Sequence, residues 1–246
     1  MRLLLITYFF SVVAISFAQE KDSLYKKGLE ALSTKDYNSA QEYFTQNIEE
    51  VPSFEGYYNL GYAFAKQKMW VKSLWANEAA LKYDPTNSKA IYNAKFSSKQ
   101  ISPDVIWSHP YSWTKRIVLS IGDTTWFILM LISSIMVAIS TYFLLSQKNG
   151  SSKKLMSKRL VIPFSIVLII SVFCFNEALN HYEQYRYAYA IDEKTELYLS
   201  PEGLEVDGDL PKNMRLTAIQ DQKEWIQIVT PDLRTYWVKK ESLLVY

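Results

Sequence analysis

The sequence predicts a multidomain membrane protein that contains an all-α domain of helical repeats, a hairpin of two transmembrane helices and a small all-β barrel. Three observations lead to this fold class. Two long apolar spans lie in the middle of the 246-residue chain. Residues that recur every 33 or 34 positions precede the spans, and short runs of β-branched and aromatic residues follow them.

Residues 1–18 are predicted to be a signal peptide. Arg2 supplies the positive charge, residues 3–15 are apolar apart from two hydroxyl residues, and Ser16-Phe17-Ala18 provides the small residues that a signal peptidase selects. We expect cleavage after Ala18, which would export the chain from Gln19 onward. An uncleaved membrane anchor is the alternative.

Residues 19–100 are predicted to form a helical domain of two repeats and a capping helix at about 88–100. Each repeat is interpreted as helix, turn and helix, closed by a proline that cannot continue the helix. Small residues, prolines and tyrosines recur at the repeat spacing: Gly28 and Gly61, Ala40 and Ser73, Pro52 and Pro85, and Tyr25, Tyr58 and Tyr92.

This pattern resembles the tetratricopeptide repeat, in which small residues let paired helices approach closely. The chain departs from the family pattern at Lys27, Ser73 and Asn77. Some relatives hold a terminal carboxylate with paired Lys and Asn residues, but Tyr25 and Leu29 stand at two of those places here. An unrelated helical bundle is the alternative fold.

Stacked repeats of this kind leave a concave groove, lined by the first helix of each pair, that can bind an extended or helical peptide. Aromatic rings would supply contact area, and Asn side chains would bond the peptide main chain. Tyrosines that pack between helices are the alternative. The predicted groove residues are Tyr25, Lys26, Tyr58, Asn59, Tyr62, Tyr92, Asn93 and Phe96.

Residues 101–116 are predicted to be a linker between the helical domain and the membrane. Two prolines interrupt helix formation, and Trp107, Tyr111 and Trp113 are aromatic residues of the type that settles at a membrane interface. His109 has no neighbouring His or acidic cluster in the sequence, so we interpret it as an interfacial loop residue rather than a ligand or a base.

Residues 117–146 and 160–179 are predicted to be transmembrane helices, because a bilayer core of about 30 Å needs about 20 apolar residues. Residues 147–159 between them form a basic loop with no acid. Short basic loops stay in the cytoplasm. The sequence therefore predicts a multi-pass protein of the bacterial inner membrane, with its N-terminal and C-terminal domains in the periplasm.

Two finer expectations concern these helices. Ser134 and Ala138 are four residues apart, which would let the helices approach closely. Pro163 is expected in the first turn of the second helix, where proline is tolerated.

In residues 180–246 the helical spacing of apolar residues gives way to a pattern that is typical of β-strands. Turns are expected at residues 201–203, 207–209 and 231–232. The strand-like runs cover residues 188–191, 195–199, 215–220, 224–230 and 235–238.

This C-terminal pattern resembles the bacterial SH3-like barrel, with its Ser/Pro turn, Leu-Pro segment, Trp-x-x-Val strand and Gly-Trp-Val strand. Here Tyr236 replaces the glycine before Trp237. We expect Trp225 and Trp237 in the barrel core. The resemblance implies binding of peptides or cell-wall fragments, and a structural cap without a ligand is the alternative.

The chain is not expected to be an enzyme or to hold a cofactor or metal. It has one Cys, two widely separated His and seven dispersed Gly, and its net charge of +2 arises from 27 bases and 25 acids. We found no nucleotide-binding loop or nucleophile motif in the sequence. The basic excess lies in the membrane loop, so nucleic-acid binding is not expected.

The whole arrangement resembles the BatE-like proteins of the Bacteroides aerotolerance (Bat) operon in Bacteroidetes. The resemblance implies membrane partners with von Willebrand A domains, an indirect link to a MoxR-type ATPase, and a role in aerotolerance or envelope stress. We expect a scaffold or adaptor for protein–protein interaction. A peptidoglycan sensor that binds through the barrel is the alternative, and a transporter or enzyme is the least favoured.

Overall fold

A computed structural model describes residues 23–104, 106–184, 186–192, 194–201, 203 and 206–246. The chain forms two compact units. The first unit joins the part of the chain that ends at Pro110 to the part after residue 185, and the second unit is Tyr111–Gln184. The predicted signal peptide lies outside the described residues.

The first unit begins with five helices, α1 (23–33), α2 (Tyr37–Glu50), α3 (Phe54–Lys66), α4 (Trp70–Tyr83) and α5 (Ser88–Ile101). Three of these helices, α2, α3 and α5, are preceded by a capping residue whose side chain accepts a backbone N–H of the first turn. The capping residues are Asp36, Ser53 and Asn87. The predicted helix from Trp70 to Tyr83 is confirmed with these bounds. Consecutive helices from α2 to α5 pack on one another, as the helix–turn–helix pattern predicted.

The internal repetition is visible in the packing of two glycines. A Cβ on Gly28 would lie 2.7 Å from the Phe44 ring, and a Cβ on Gly61 would lie 2.5 Å from Asn77 Nδ2. Both pairs are 16 residues apart, and the recurring Ala40 is fully buried like its counterpart Ser73. The 33-residue spacing therefore corresponds to equivalent positions in two helix pairs.

The C-terminal part of the first unit is a seven-stranded sheet with the order β3-β2-β6-β5-β4-β1-β7, in which every paired strand is antiparallel. The strands are β1 (Arg186–Ala190), β2 (Lys194–Tyr198), β3 (Val206–Pro211), β4 (Arg215–Gln222), β5 (Trp225–Val229), β6 (Thr235–Lys239) and β7 (Leu243–Val245). Each of the five predicted runs overlaps one strand, in the order β1, β2, β4, β5 and β6.

One predicted turn in this region is wrong. Residues 207–209 belong to β3, where Asp209 pairs with Glu196 and Gly208 pairs with Leu197. The register shifts between Leu197 and Tyr198, so that Asp207 is left without a partner across the strand pair, as in a bulge. The predicted turn at residues 231–232 is confirmed, since it connects β5 to β6.

The sheet core does not contain the two tryptophans that we expected there. Ile226, Ile228, Tyr236 and Val238 point into one hydrophobic cluster to which all seven strands contribute. Because side chains alternate along a strand, Trp225 and Trp237 lie on the opposite face. Trp237 is still buried, whereas Trp225 is only half-buried.

The second unit contains three helices, α6 (Trp113–Ile121), α7 (Asp123–Ser146) and α8 (Ser152–Gln184). Asp123–Ser146 and Ser152–His181 are long and apolar enough to cross a membrane. The first predicted span began too early, at residue 117, because Gly122 with φ of +84° separates α6 from α7.

The predicted loop is mostly helix. Only residues 147–151 connect α7 to α8, and the basic residues from Lys153 to Arg159 lie in the first turns of α8. Pro163 is consequently inside α8 and not in its first turn, which corrects our expectation.

Helix α7 packs against α8 through a different pair of small residues from the one predicted. Ser133 and Ser140 are buried, whereas Ser134 and Ala138 are exposed. The buried pair is seven residues apart, which is two helical turns and keeps both side chains on one face. The second unit also holds an ion pair, in which Lys115 Nζ lies 2.7 Å from Glu177 Oε1.

Candidate protein-binding site

The predicted groove residues Tyr25, Tyr58 and Asn59 form contacts inside the helical array. Tyr25 is half-buried, and its ring lies 5.8 Å from Phe44 in an edge contact. Asn59 Nδ2 donates to the Tyr25 hydroxyl over 3.1 Å, which joins two first helices 34 residues apart. Tyr58 is half-buried, stacks on Phe54 of its own helix and packs against buried residues of α4 and α5, namely Ala80, Leu81 and Ala90. The alternative that these tyrosines pack between helices thus applies to Tyr25 and Tyr58.

The remaining predicted residues lie nearer to solvent. Tyr62, Tyr92 and Phe96 are 38%, 67% and 43% exposed, and we call these three residues the aromatic face. The Tyr92 and Phe96 rings stack at 6.4 Å on α5. Trp70 contacts Phe96 edge-on at 5.9 Å. Exposed rings in this number are available to a partner without any rearrangement of the core.

Lys26 and Asn93 complete the predicted set. Lys26 is exposed on α1, and Asn93 is half-buried on α5. Asn59 and Asn93 were expected to be equivalent, with both side chains offered to a partner. In the described part of the chain, Asn59 bonds Tyr25 whereas no such bond holds Asn93, so their surroundings differ.

A polar cluster that the sequence analysis missed lies between the helices and the sheet of the first unit. Glu78 of α4 is 0% exposed. Its Oε1 accepts from Trp107 Nε1 at 2.6 Å and from Arg215 Nη1 at 3.1 Å. Its Oε2 accepts from the hydroxyls of Tyr189 at 2.8 Å and Tyr246 at 2.5 Å. We call these five residues the Glu78 cluster.

In the Glu78 cluster, the negative charge of the Glu78 carboxylate is balanced by the positive charge of Arg215. Burial and the neighbouring Glu78 carboxylate raise the pKa of Tyr189 well above its ordinary value. Burial alone would lower the pKa of Arg215, but the charges of Glu78, Tyr189 and Tyr246 and the hydrogen bond to Glu78 together raise it. Tyr189 therefore stays a neutral donor and Arg215 a cation, so that one buried carboxylate has one positive partner and three neutral donors.

Two further hydrogen bonds attach the sheet to the rest of the first unit. Trp75 Nε1 of α4 donates to the Val245 carbonyl at 3.1 Å, and the Tyr187 hydroxyl donates to the Pro110 carbonyl at 2.9 Å. The linker takes part as well, since Trp107 bonds Glu78 instead of lying free as an interface residue. The ring of His109 lies 2.9 Å from the Pro85 carbonyl through Nε2.

A local signal for the Glu78 cluster does exist in the sequence. Glu78 is the only acid in α4, and apart from Asn77 the residues around it from Leu74 to Leu81 are small or apolar. A single carboxylate at a helix position that faces the core must find donors elsewhere in the fold. The identity of those donors could not be read from the sequence.

The first unit also has pockets. One of about 600 Å³ lies between α4, α5, the linker and the β3–β4 connection, beside Tyr189 and Arg215. A second of about 570 Å³ contains Tyr92 and Phe96 of the aromatic face. A third of about 530 Å³ lies on the sheet around Tyr198 and is mainly polar.

The class of protein is therefore one that combines a helical array and an antiparallel sheet in one compact unit with two helices that could cross a membrane. Comparison of the chain with protein-family models, curated proteins and solved structures gives no match. The family resemblances described above therefore stay predictions.

Proposed function

We propose that this protein is a membrane-anchored scaffold whose helical array holds a segment of a partner protein. The observation that carries the proposal is the aromatic face, where Tyr62, Tyr92 and Phe96 are exposed on α3 and α5. Rings that are already ordered lose little conformational entropy when they bind. Their position on the first helices of successive pairs is that of the peptide-binding groove in tetratricopeptide-repeat proteins.

We further propose that the helices form a tetratricopeptide-repeat domain and that the sheet is an SH3-like domain. Support for the repeat comes from the equivalent contacts of Gly28 and Gly61. Support for the SH3-like domain comes from the short antiparallel strands around one core.

The proposed location is the bacterial inner membrane, with both ends of the chain in the periplasm. The hydrogen bond between Tyr187 and Pro110 supports this topology, because the chain leaves and rejoins the first unit at adjacent points. A segment that starts and ends at the same place crosses a bilayer an even number of times. Two apolar helices with bases at the connecting end fit this requirement.

Reporter fusions test the topology. Fusions after Lys99 and at Tyr246 should carry reporters that are active in the periplasm, and a fusion after Asn149 should carry one that is active in the cytoplasm. An externally active reporter after Asn149 would overturn the topology.

The proposed partners are membrane proteins with von Willebrand A domains, linked to a MoxR-type ATPase in a Bat-type complex that serves aerotolerance or the envelope stress response. Co-purification from membranes tests this proposal. The double variant Tyr92→Ala/Phe96→Ala should recover about tenfold less partner, because it removes two exposed aromatic anchors. The control Ile219→Ala/Leu233→Ala removes exposed apolar residues of β4 and of the β5–β6 connection and should leave recovery unchanged. Equal recovery with both variants would contradict a role for the aromatic face.

A second candidate is a peptidoglycan sensor, and the sheet pocket favours it. Tyr198 supplies a ring there, and Lys194, Glu196 and Asp209 supply polar groups of both signs, as an amino sugar with an attached peptide requires. Purified sacculi should then retain the protein, and Tyr198→Ala should abolish retention. Retention by Tyr198→Ala would reject this site.

A further inference from the structure

Three pockets in the first unit adjoin one another through shared lining residues. Helix α5 and the linker form one of them, and residues of the sheet and its connections help to form the other two. The pocket of about 570 Å³ shares Ile106 and Trp107 with the pocket of about 600 Å³. The latter shares Ile101, Lys212 and Asn213 with a further pocket of about 490 Å³ that includes Trp70. We call the three together the seam groove. It extends beyond the predicted groove, because the sheet forms one of its walls.

Every charged side chain that lines the seam groove is basic. Its lining contains no acid among the described residues, although acids and bases are almost equally frequent in the whole chain. The basic residues are Lys68, Lys72, Lys95, Lys99, Lys212 and Arg215.

Most of this positive charge is not neutralised within the protein. Arg215 is paired with Glu78, so its charge is largely offset. Within the described residues, none of the ion pairs involves Lys68, Lys72, Lys95 or Lys99. Like charges lining a cleft with apolar walls focus a positive potential into it.

The same groove offers large apolar side chains to a ligand. Ile106 is 93% exposed and stands where two of the pockets meet. Tyr92 and Phe96 line one pocket, and Trp70 and Met69 line another. Aromatic and aliphatic walls with a basic rim are complementary to a segment that carries apolar anchors between carboxylates.

We propose that the seam groove binds an acidic segment of a partner protein, in which aromatic or aliphatic residues alternate with Asp and Glu. This inference rests on the proposed scaffold function and specifies the chemistry of the partner. Three pockets in succession suit a peptide chain with several anchors better than a single compact ligand. Because helices, linker and sheet all contribute walls, the groove exists only while the first unit is intact.

A selection from random peptides tests the proposal even while the partner is unidentified. Full-length protein in nanodiscs of phosphatidylcholine is used to select from a phage library of random 12-residue peptides. The selected pool should be enriched in Asp and Glu together with aromatic or aliphatic residues. A pool without an acidic excess, or a selection that enriches nothing, overturns the proposal.

A matched pair of charge-reversal variants ties the selection to the groove. Lys95→Glu/Lys99→Glu should bind the selected peptides about tenfold more weakly, since it places like charges opposite the ligand. Lys89→Glu/Lys239→Glu makes the same change of charge at exposed positions that do not line the groove, and should bind them like the wild type. Equal affinities for the two variants would overturn the assignment to the seam groove.

Nanodiscs that contain phosphatidylglycerol separate a lipid ligand from a peptide ligand. Peptide binding that disappears in these discs, but not in discs of phosphatidylcholine, identifies the lipid headgroup as the occupant and overturns the proposal. If no membrane protein co-purifies although acidic peptides are selected, the scaffold function is contradicted and the acidic specificity of the groove is not. The acidic specificity alone fails when partners co-purify but the selected peptides carry no acidic excess.

Discussion

The two units place polar and apolar side chains in opposite ways. In the first unit, Glu78 is 0% exposed and Leu60 and Ile228 are fully buried with it. In the second unit, Ile169 and Phe173 are 70% and 68% exposed, while Ser133 is buried between helices. Burying apolar groups stabilises a fold in water, whereas in lipid the close approach of small residues does so. The first unit thus follows the packing rule for water, whereas the second has the exposed apolar surface and buried small residues of helices that could cross a membrane.

The buried polar groups also differ in where their partners lie. Glu78 is bonded by residues 29 to 168 positions away, so it connects separate elements. Ser133 and Ser171 donate to the carbonyls of Leu129 and Val167, four residues earlier in their own helices. A serine that is hydrogen-bonded within its own helix lets a neighbouring helix approach closely, but it forms no polar bond that would select that neighbour. Specific polar contacts therefore join the helices to the sheet in the first unit, whereas α7 and α8 of the second unit pack on each other chiefly by shape.

The largest expected effect comes from removing the buried carboxylate. Glu78→Gln should lower the free energy of unfolding of the first unit by about 3–5 kcal/mol, because it leaves Arg215 without its counter-charge. Thermal and denaturant unfolding of the full-length protein in detergent measure this loss. Glu50→Gln, at an exposed position, is the control and should change stability little. Wild-type stability in Glu78→Gln would show that the cluster is dispensable.

A smaller loss is expected at the close helix contact. Gly61→Ala should cost about 1–3 kcal/mol, since its Cβ would meet Asn77 Nδ2 at 2.5 Å. The double variant Gly61→Ala/Asn77→Ala regains the space, so its loss should be smaller than the sum of the two single losses. Strictly additive losses, measured by the same unfolding assay, would contradict direct contact.

The two serines of α7 test packing by shape in the second unit. Ser133→Leu should destabilise the helix pair by about 1–3 kcal/mol, because it inserts a large side chain where the native one is 2% exposed. Ser134→Leu makes the identical change at the adjacent, exposed position and should cost little. Unfolding in detergent, followed by circular dichroism, distinguishes the two variants. Equal losses would show that α7 presents a different face to α8.

The smallest effect is a dependence on pH. Burial, reinforced by the charge of Arg186, lowers the pKa of Lys82 to about 8. Between about pH 8 and pH 10 the unfolded chain binds more protons at this residue than the folded one, so stability should rise with pH. Above about pH 10 the raised pKa of Tyr189 reverses the sign, because only the unfolded tyrosine then ionises.

Melting temperatures between pH 7 and pH 11 measure this profile. The variant Lys82→Met should abolish the rise between pH 8 and pH 10 and retain the fall above it. A rise that persists in the variant would assign the titration to another group.

The sequence predicted those features that depend on local pattern. The helix from Trp70 to Tyr83 and the five strand-like runs follow from hydrophobic period and turn residues. The extension of α8 through its basic residues was missed because a charge run was taken for a loop, although Lys and Arg are good helix formers. Strand β3 was missed because Asp-Gly-Asp is typical of a turn, and pairing with β2 overrode that preference.

Features set by tertiary contact could not be predicted. The groove positions were assigned from the repeat alone, which cannot tell that Tyr25 is held by Asn59 while Tyr92 remains exposed. The seam groove needs the β3–β4 connection next to α4 and α5, and no local pattern contains that proximity. The sequence thus predicted that the first helices of the repeats carry exposed aromatic residues. It did not predict that the sheet contributes the opposite wall of the groove.

The Glu78 cluster has a consequence for biosynthesis. Ribosomes make Glu78 long before its partners, with Tyr189, Arg215 and Tyr246 following 111, 137 and 168 residues later. A nascent chain that has folded only its helices therefore holds a carboxylate without these donors, and it is less stable until the sheet is added. If synthesis is interrupted before the sheet is made, the truncated product unfolds locally more often than the finished protein, so proteases cleave it more readily.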